Sequence, residues 1–275
     1  MERFGIDVSE HNGTIMWSLV KPHIDFAIIR AGYGQNNIDK QFTRNIEQCA
    51  SLGIPFGIYW FSYALDPEMA RREAEYCIKA IGEYNPTYPI CFDYEYDSYN
   101  WAIKQGKKPS KDLIAKIADA FLSRVEELGY YAVNYCNRDY YDNYGMKTLT
   151  EKYDLWYADW RENRDDVGAG MIQFSSKYSI NGINGNVDAD YAYKDYITII
   201  NNMNKANTEK ENKKNETVVS TSTIFINKYM DVVFEVLDGI WGNGEQRKVA
   251  LTEAGYDYDF VQTIVNQLYK EGIVK

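Results

Sequence analysis

Two carboxylates lie two residues apart in the stretch PICFDYEYD, residues 89–97. The stretch begins as an apolar strand, and in a strand residues two apart point to the same face. Asp93 and Glu95 would then share one face, with Cα atoms roughly 6.5–7 Å apart. In a confined, partly apolar cleft such a pair repels. One carboxyl group should therefore keep its proton to higher pH while the other stays ionised.

This pairing suits the hydrolysis of a glycosidic bond. One carboxylic acid protonates the leaving oxygen, and one carboxylate stabilises positive charge at the anomeric carbon. The Cα spacing does not fix the carboxyl separation, so retention, inversion and assistance by a substrate N-acetyl group all stay open. The alternative is that both acids make solvated or ion-paired contacts at a strand end. Asp7 in GIDVS and Asp188 in GNVDADY favour the catalytic interpretation, because they end or begin other candidate strands.

Eight apolar, strand-like runs recur along the first two thirds of the chain. Helical stretches separate the early runs, and the later connections are shorter, with only about ten Asp- and Gly-rich residues before Met171. The pattern predicts an α/β fold, a (β/α) TIM-like barrel with reduced helices in its last part. In a closed barrel the first and last strands are neighbours, so the acids would converge on one mouth. The runs begin at Arg3, Phe26, Pro55, Tyr88, Tyr130, Asp154, Met171 and Val187.

Capping residues, a first-turn proline and terminal glycines predict where the helices begin and end. A helix over residues 39–52 stops at Gly53, and Asp66-Pro67 starts another that runs to about Gly82. A third starts at Ser110 and ends at Gly129.

After about residue 200 the sequence becomes polar and loses its apolar period. We predict a barrel over residues 1–200, a polar linker over 201–223, and a small three-helix C-terminal module over 224–275. The linker stretch NNMNKANTEKENKKNETVVSTST has no apolar period, whereas apolar spacing and glycine stops mark the helices that follow.

Composition restricts the class of ligand. A net charge of -10 argues against nucleic acid, which requires a basic face. Twenty-five tyrosines suit a ligand with apolar faces and polar edges, such as a sugar, although a Tyr-rich core would give the same count. The four cysteines are far apart and form no CxxC pair, so we expect buried free thiols. With two histidines a metal site is not expected, and no cofactor is predicted.

The start of the chain has no basic segment followed by an apolar run, so no signal peptide is predicted. No apolar run approaches the roughly 20 residues of a membrane span. We therefore expect synthesis in the cytoplasm without a signal peptide of its own.

Seven motifs in order resemble glycoside hydrolase family 25, a family of lysozymes that cleave peptidoglycan: GIDVSEHNG, IIRAGYG, GIYWFSYA, FDYEYD, LWYADW, IQFSS and GNVDADY. The resemblance covers residues 3 to about 195. It implies N-acetylmuramidase activity on the β-1,4 bond after N-acetylmuramic acid, and it implies peptidoglycan as the partner.

The resemblance also implies roles for individual residues. Glu95 would be the general acid and Asp93 the second carboxylate, with Asp7 and Asp188 completing an acidic cluster. Trp60 replaces the His of a common YHF pattern, and alternation should point it away from the groove. Tyr59, Tyr135 and Trp156 match aromatic positions that line the substrate groove of that family. Arg30 and Gln173 match motif positions as well, and these two could equally be structural hydrogen-bonding groups inside the barrel.

The stretch VLDGIWGNGEQRKVALTEAGYDYDFVQTIVNQLY resembles the type 7 cell-wall-binding repeat of phage lysozymes. This resemblance implies wall targeting, and a homodimer through the module would add avidity. The candidate wall contacts are Trp241, Arg247, Tyr256 and Tyr258, and Trp241 could equally be the core of the module.

The combined pattern predicts a modular peptidoglycan hydrolase, with a phage endolysin favoured over a bacterial autolysin. A family 18 chitinase is disfavoured, because Cys91 stands where that family has a further Asp. A non-catalytic wall-binding protein on an inactive barrel is the rival from another class, and the four retained acids count against it.

Overall fold

A computed structural model describes residues 2–274, with the side chains of residues 210–228 outside the description. Its centre is a closed barrel of eight strands. Seven of them run parallel: β1 (Arg3–Val8), β2 (Phe26–Tyr33), β4 (Phe56–Phe61), β5 (Ile90–Asp93), β6 (Ala132–Asn137), β7 (Asp154–Ala158) and β8 (Met171–Tyr178). The eighth, β9 (Val187–Ala192), closes the barrel between β8 and β1, and the short β3 (Asn37–Ile38) pairs only with β2. The eight predicted strands and the barrel are confirmed.

Strand β9 runs antiparallel to both of its neighbours. Only residues 179–186 connect it to β8, too few for the crossover that a parallel pair requires, so the two strands form a hairpin. The start of β9 therefore lies at the mouth where the parallel strands end. This reversal brings Asp188 directly opposite Asp7.

Helices cover the outside of the first part of the barrel: α1 (Trp17–Val20), α2 (Phe42–Leu52), α3 (Pro67–Ile81), α4 (Tyr96–Lys104), α5 (Lys111–Glu127) and α6 (Arg138–Asn143). The predicted boundaries of α2, α3 and α5 hold to within a few residues. The Asp66 side chain accepts from the Met69 N–H at the start of α3, and Ser110 accepts from Leu113 at the start of α5. Three short 3-10 helices occur at Glu10–Asn12, Lys21–His23 and Met146–Glu151.

Strand alternation divides the core into an inner and an outer layer. Ile28, Tyr59 and Cys91 belong to the barrel interior, whereas Ile29 and Trp60 pack outward against the helices. Trp60 therefore points away from Tyr59, as predicted, and its ring lies where Gly32 has no side chain. The four cysteines are buried free thiols, also as predicted.

The far end of the barrel is closed by stacked aromatic rings. Phe26 stacks on Tyr88 at 4.4 Å, and the ring of Tyr196 lies 5.6 Å from that of Tyr88. Tyr196 and Ile200 begin helix α7 (Tyr196–Leu237), so the first turns of that helix complete the inner core.

The chain divides into two compact units, residues 1–205 and residues 206–275. The predicted linker, residues 201–223, lies within α7, and most of its side chains fall outside the described residues. The proposed domain boundaries stay predictions. In the second unit, the end of α7 packs with α8 (Glu245–Glu253) and α9 (Tyr258–Lys270) around Val233, Leu251 and Val261. Along residues 2–274 no helix is both long and apolar enough to cross a bilayer.

Candidate active site

A cavity of about 560 Å³ opens at the carboxyl ends of the parallel strands. This is the end of a (β/α) barrel at which active sites are built. All nine residues predicted for catalysis or substrate binding line this one cavity: Asp7, Asp93, Glu95, Asp188, Tyr59, Tyr135, Trp156, Arg30 and Gln173. The cavity is called the catalytic pocket below.

The central carboxylates come from two different elements. Strand β5 ends at Asp93, and Glu95 is the N-cap residue of α4 rather than a strand residue. The Glu95 N–H donates to the Ser98 hydroxyl at 3.2 Å, which fixes the turn from strand to helix. Both acids still face the pocket, while Tyr94 between them is buried in the outer layer. The prediction of one shared face holds, although the strand is shorter than expected.

Burial dominates the protonation of this pair. It raises the pKa of Asp93 well above its ordinary range, with a further increase from Glu95 and an opposing effect of Arg30. Burial also raises the pKa of Glu95, with Tyr135 lowering it and Asp188 raising it. The expected mutual repulsion is present, but the larger increase falls on Asp93, because Asp93 is the more deeply buried group. The two carboxyl groups therefore titrate as a coupled pair.

Asp7 and Asp188 face each other across the β1–β9 pair, and a third carboxylate lies below them. Burial raises the pKa of Asp188 to about 6. The pKa of Asp7 is raised well above its usual range, first by burial and then by Asp190 and Asp188. Asp190 is fully buried, and its carboxylate accepts from Trp156 Nε1 at 2.8 Å. Sequence reasoning missed Asp190, although its place two residues after Asp188 gives it the same strand face.

Gln173 connects the acids to the aromatic residues. Its Nε2 donates to Asp7 Oδ2 at 2.7 Å, and its Oε1 accepts from the Tyr135 hydroxyl at 3.3 Å. The same Oε1 accepts from Trp160 Nε1 at 3.2 Å. The side chain is 4% exposed. These bonds make Gln173 a residue that positions its neighbours.

Aromatic rings form the floor and rim of the pocket. Trp156 makes edge contacts with Tyr59 and Tyr135, at centroid distances of 6.2 Å and 4.7 Å, and all three are largely buried. Trp160 stands at the rim with 58% of its surface exposed, so a sugar ring can reach its face. Sequence reasoning missed Trp160, the last residue of LWYADW, because nothing in the local pattern separates a rim tryptophan from a packed one.

Arg30 forms ion pairs in the pocket wall. Its Nε lies 2.7 Å from Asp39 Oδ2, and its Nη2 lies 3.2 Å from Glu10 Oε1. The Asp39 side chain is fully buried and that of Glu10 is mostly buried, so the two ion pairs hold the guanidinium in a fixed position. It acts on the pocket as a fixed positive charge that favours ionised Asp93.

The described residues contain no group of side chains arranged to hold a metal ion. The pocket offers the chemistry of its carboxyl groups. One can donate a proton and another can stabilise a developing cation, and aromatic faces surround both. Among the described atoms, Asp93 Oδ1 is buried without a hydrogen-bond partner, which adds to the cost of ionising this carboxyl group.

The predicted wall-binding residues of the second unit fall into two groups. Arg247 donates to the Gly242 carbonyl, to Gln262 Oε1 and to Asn243 Oδ1, each at 3.0 Å, so it holds a loop against α9. Trp241 packs edge-on to Tyr256 at 5.9 Å and donates to Glu235 at 2.8 Å. Trp241, Tyr256 and Tyr258 lie half-buried at the border of the small core.

Comparisons with known proteins agree with this geometry. Residues 6–183 match the family described as Glycosyl hydrolases family 25, and residues 231–269 match the CW_7 repeat. A lysozyme of Streptococcus phage Cp-7 is 24% identical over 268 residues, covering 96% of this chain and 69% of the phage protein. An autolytic lysozyme of Clostridium acetobutylicum is 24% identical over 189 residues, covering 68% of this chain and 54% of that protein.

Solved structures show the same barrel. The modular autolysin LytC of Streptococcus pneumoniae is 30% identical with a TM-score of 0.59, and the match covers 70% of this chain but only 47% of LytC. A bacterial lysozyme from Streptomyces coelicolor is 22% identical with a TM-score of 0.62, covering 73% of this chain and 98% of that one. The family match includes Asp7, Asp93 and Glu95, and this chain belongs to glycoside hydrolase family 25.

Proposed function

We propose that this protein is an N-acetylmuramidase that hydrolyses the β-1,4 bond after N-acetylmuramic acid in peptidoglycan. One observation carries the proposal: Asp93 and Glu95 share an aromatic-floored pocket at the catalytic end of a family 25 barrel. The CW_7 match adds a module suited to holding the enzyme at the wall. We further propose that it acts at the bacterial cell wall as a phage endolysin, and the similarity of 96% of this chain to a phage lysozyme supports that role.

Glu95 is the general acid of this proposal. Its carboxyl group is half-buried in the pocket, and burial raises its pKa, which favours the protonated form that an acid catalyst needs. It donates that proton to the glycosidic oxygen as the bond to the anomeric carbon breaks. Positive charge then develops on the sugar ring, and this charge favours the ionised form of Asp93.

Asp93 completes the reaction in one of three ways. Its carboxylate can attack the anomeric carbon, can remove a proton from attacking water, or can orient an N-acetyl group of the substrate that attacks instead. In each case water supplies the new hydroxyl group and Glu95 or Asp93 recovers its proton. The anomer formed first from a defined muropeptide oligomer, observed by NMR, separates inversion from the two retaining routes.

The direct test is Glu95→Gln, which keeps the size of the side chain and removes the proton donor. Loss of a general acid should lower the rate of wall lysis by roughly 10²–10⁴, while sedimentation with purified walls should persist. Glu47→Gln, the same change at an exposed position of α2, is the matched control. Retention of more than about a third of the activity by Glu95→Gln would exclude the role given to Glu95. A wild-type protein that binds walls and releases no reducing ends would favour the non-catalytic alternative.

The same proposal includes self-association through the second unit. Its surface exposes large apolar side chains, among them Phe234, Ile240 and Tyr269, which support a homodimer. Sedimentation velocity across a concentration series tests this part separately.

A further inference from the structure

A second, larger cavity of about 960 Å³ lies beside the catalytic pocket. It is called the side groove here. One wall is the β2–β3 hairpin with Tyr33, Gln35 and Asn37, and another is α4 with Trp101. Tyr33, Tyr63 and Asp97 line both the side groove and the catalytic pocket. The two spaces therefore share a wall, and a polymer that leaves the pocket on this side enters the groove.

A continuous series of aromatic rings runs from the pocket into the groove. Phe61, which lines the catalytic pocket, lies 5.2 Å from Tyr63, and Tyr63 lies 5.8 Å from Trp101. Trp101 lies outside the pocket and has 43% of its surface exposed. An exposed indole in a concave surface offers a flat apolar face to a ligand ring.

Neutral polar groups surround these rings. The amide side chains of Gln35, Asn37, Asn100 and Gln105 line the groove together with the apolar side chains of Leu65, Met69 and Ile103, and its charged lining groups are Asp97 and Lys104. Aromatic faces with amides at their edges match a sugar ring, which has C–H faces and hydroxyl or acetamido edges. An anionic stem peptide would bring several carboxylates to a lining whose two charges cancel, so the lining favours the glycan.

The groove is built on a buried anchor. The Glu73 carboxylate on α3 accepts from the Tyr63 backbone N–H at 3.1 Å and from Gln35 Nε2 at 3.3 Å. Glu73 thus fixes both the loop after β4 and the β2–β3 hairpin, and it is fully buried. Because one buried side chain holds both the hairpin wall and the Tyr63 loop, this part of the groove is formed before a ligand arrives.

We propose that the side groove binds further saccharide units of the glycan strand whose scissile bond lies in the catalytic pocket, with Trp101 as the stacking platform. The proposal rests on the proposed muramidase function and gives it a preference for long strands. Binding energy from these remote units raises kcat/KM for a long strand and has no effect on a strand too short to reach Trp101.

The test compares peptide-free GlcNAc–MurNAc tetrasaccharide and octasaccharide substrates with the full-length protein. The wild type should cleave the octasaccharide with a clearly higher kcat/KM. Trp101→Ala should lower that value roughly tenfold, because an aromatic ring that stacks on a ligand ring contributes about 1 kcal/mol, and should change the tetrasaccharide value less than twofold. Trp101→Phe should keep most of the preference, and Leu19→Ala, which truncates an exposed apolar side chain on α1, should keep all of it.

Three results would overturn the proposal. The first is equal kcat/KM of the wild type for both lengths. The second is an equal loss on both substrates in Trp101→Ala, which would indicate damage to the pocket. The third is an effect of Trp101→Ala that occurs only when the glycan carries stem peptides, which would assign the groove to the peptide. Failure of the proposed function is distinct, because the wild type would then cleave neither oligosaccharide.

Discussion

The buried carboxyl group of Glu73 should make the stability of the barrel depend on pH. Burial raises its pKa to about 7 from an ordinary 4.5, against the lowering effect of hydrogen bonds from Ser62, Tyr63 and Gln35. The folded state therefore holds this proton up to about pH 7, while the unfolded chain releases it near pH 4.5. The favourable contribution is complete below pH 4.5 and is lost as the pH rises through 7.

The size of the effect follows from the difference between the two pKa values. Each pKa unit corresponds to about 1.4 kcal/mol, so ionised Glu73 costs the fold about 3 kcal/mol above pH 7. Glu73→Gln replaces the acid with a neutral side chain that can still accept from the Tyr63 N–H. Its free energy of unfolding, relative to wild type, should therefore increase by about 3 kcal/mol between pH 4.5 and pH 8.

Urea unfolding followed by tryptophan fluorescence measures this difference. Five of the six tryptophans, all except Trp241, lie in the first unit, so the signal reports mainly on the barrel. The shifted acids of the catalytic pocket are the same in both proteins and cancel in the comparison. Glu47→Gln, at an exposed position, should follow the wild-type curve at every pH. Parallel pH curves for Glu73→Gln and wild type would refute the reasoning, because they would show that Glu73 binds its proton equally in both states.

Three further predictions concern the pocket, the second unit and the core. Asp188→Asn removes a charge that raises the pKa of Glu95, so the alkaline limb of the pH–activity profile should move to lower pH; an unmoved limb would contradict that coupling. A chain ending at residue 205 keeps Ile200 in the barrel core and should cleave soluble oligomers at close to the full-length rate. Its lysis of intact walls should fall, and equal lysis would deny the second unit a targeting role. Gly32→Ala would place a Cβ 2.3 Å from the Asn37 carbonyl oxygen and 2.7 Å from the Trp60 ring, which should cost about 1–3 kcal/mol in urea unfolding; an unchanged midpoint would show that the ring can move.

Strand alternation and helix caps made most of the barrel predictable. Buried parallel strands read as apolar runs, and Asp66, Ser110 and Gly53 mark helix ends by local chemistry that needs no tertiary information. The direction of β9 was not predicted, because it depends on the length of a connection rather than on the composition of the strand.

The site was predictable where function and local pattern coincide. The pair Asp93 and Glu95 shows in the sequence because an acid two residues from another is unusual beside a buried strand. The helix that Glu95 begins was missed, since YDSYNWAIK is rich in aromatic residues and has a weak apolar period. Asp190 is hydrogen-bonded to Trp156, and Trp160 is hydrogen-bonded to Gln173. These partners are distant in the sequence, and the pattern of a single sequence does not show which distant residues will meet.

The three hydrogen bonds of Gln173 allow its amide only one orientation. Turning it over would set its NH₂ group against the indole N–H of Trp160 and its carbonyl oxygen against the carboxylate of Asp7. The chain of hydrogen bonds therefore has one direction: the exposed indole of Trp160 donates to Gln173, and Gln173 donates to Asp7 inside the barrel. Because Asp7 Oδ2 accepts from this amide, a proton that Asp7 holds is directed to its other oxygen, Oδ1. A neutral side chain thus determines the position of a proton within the acidic cluster.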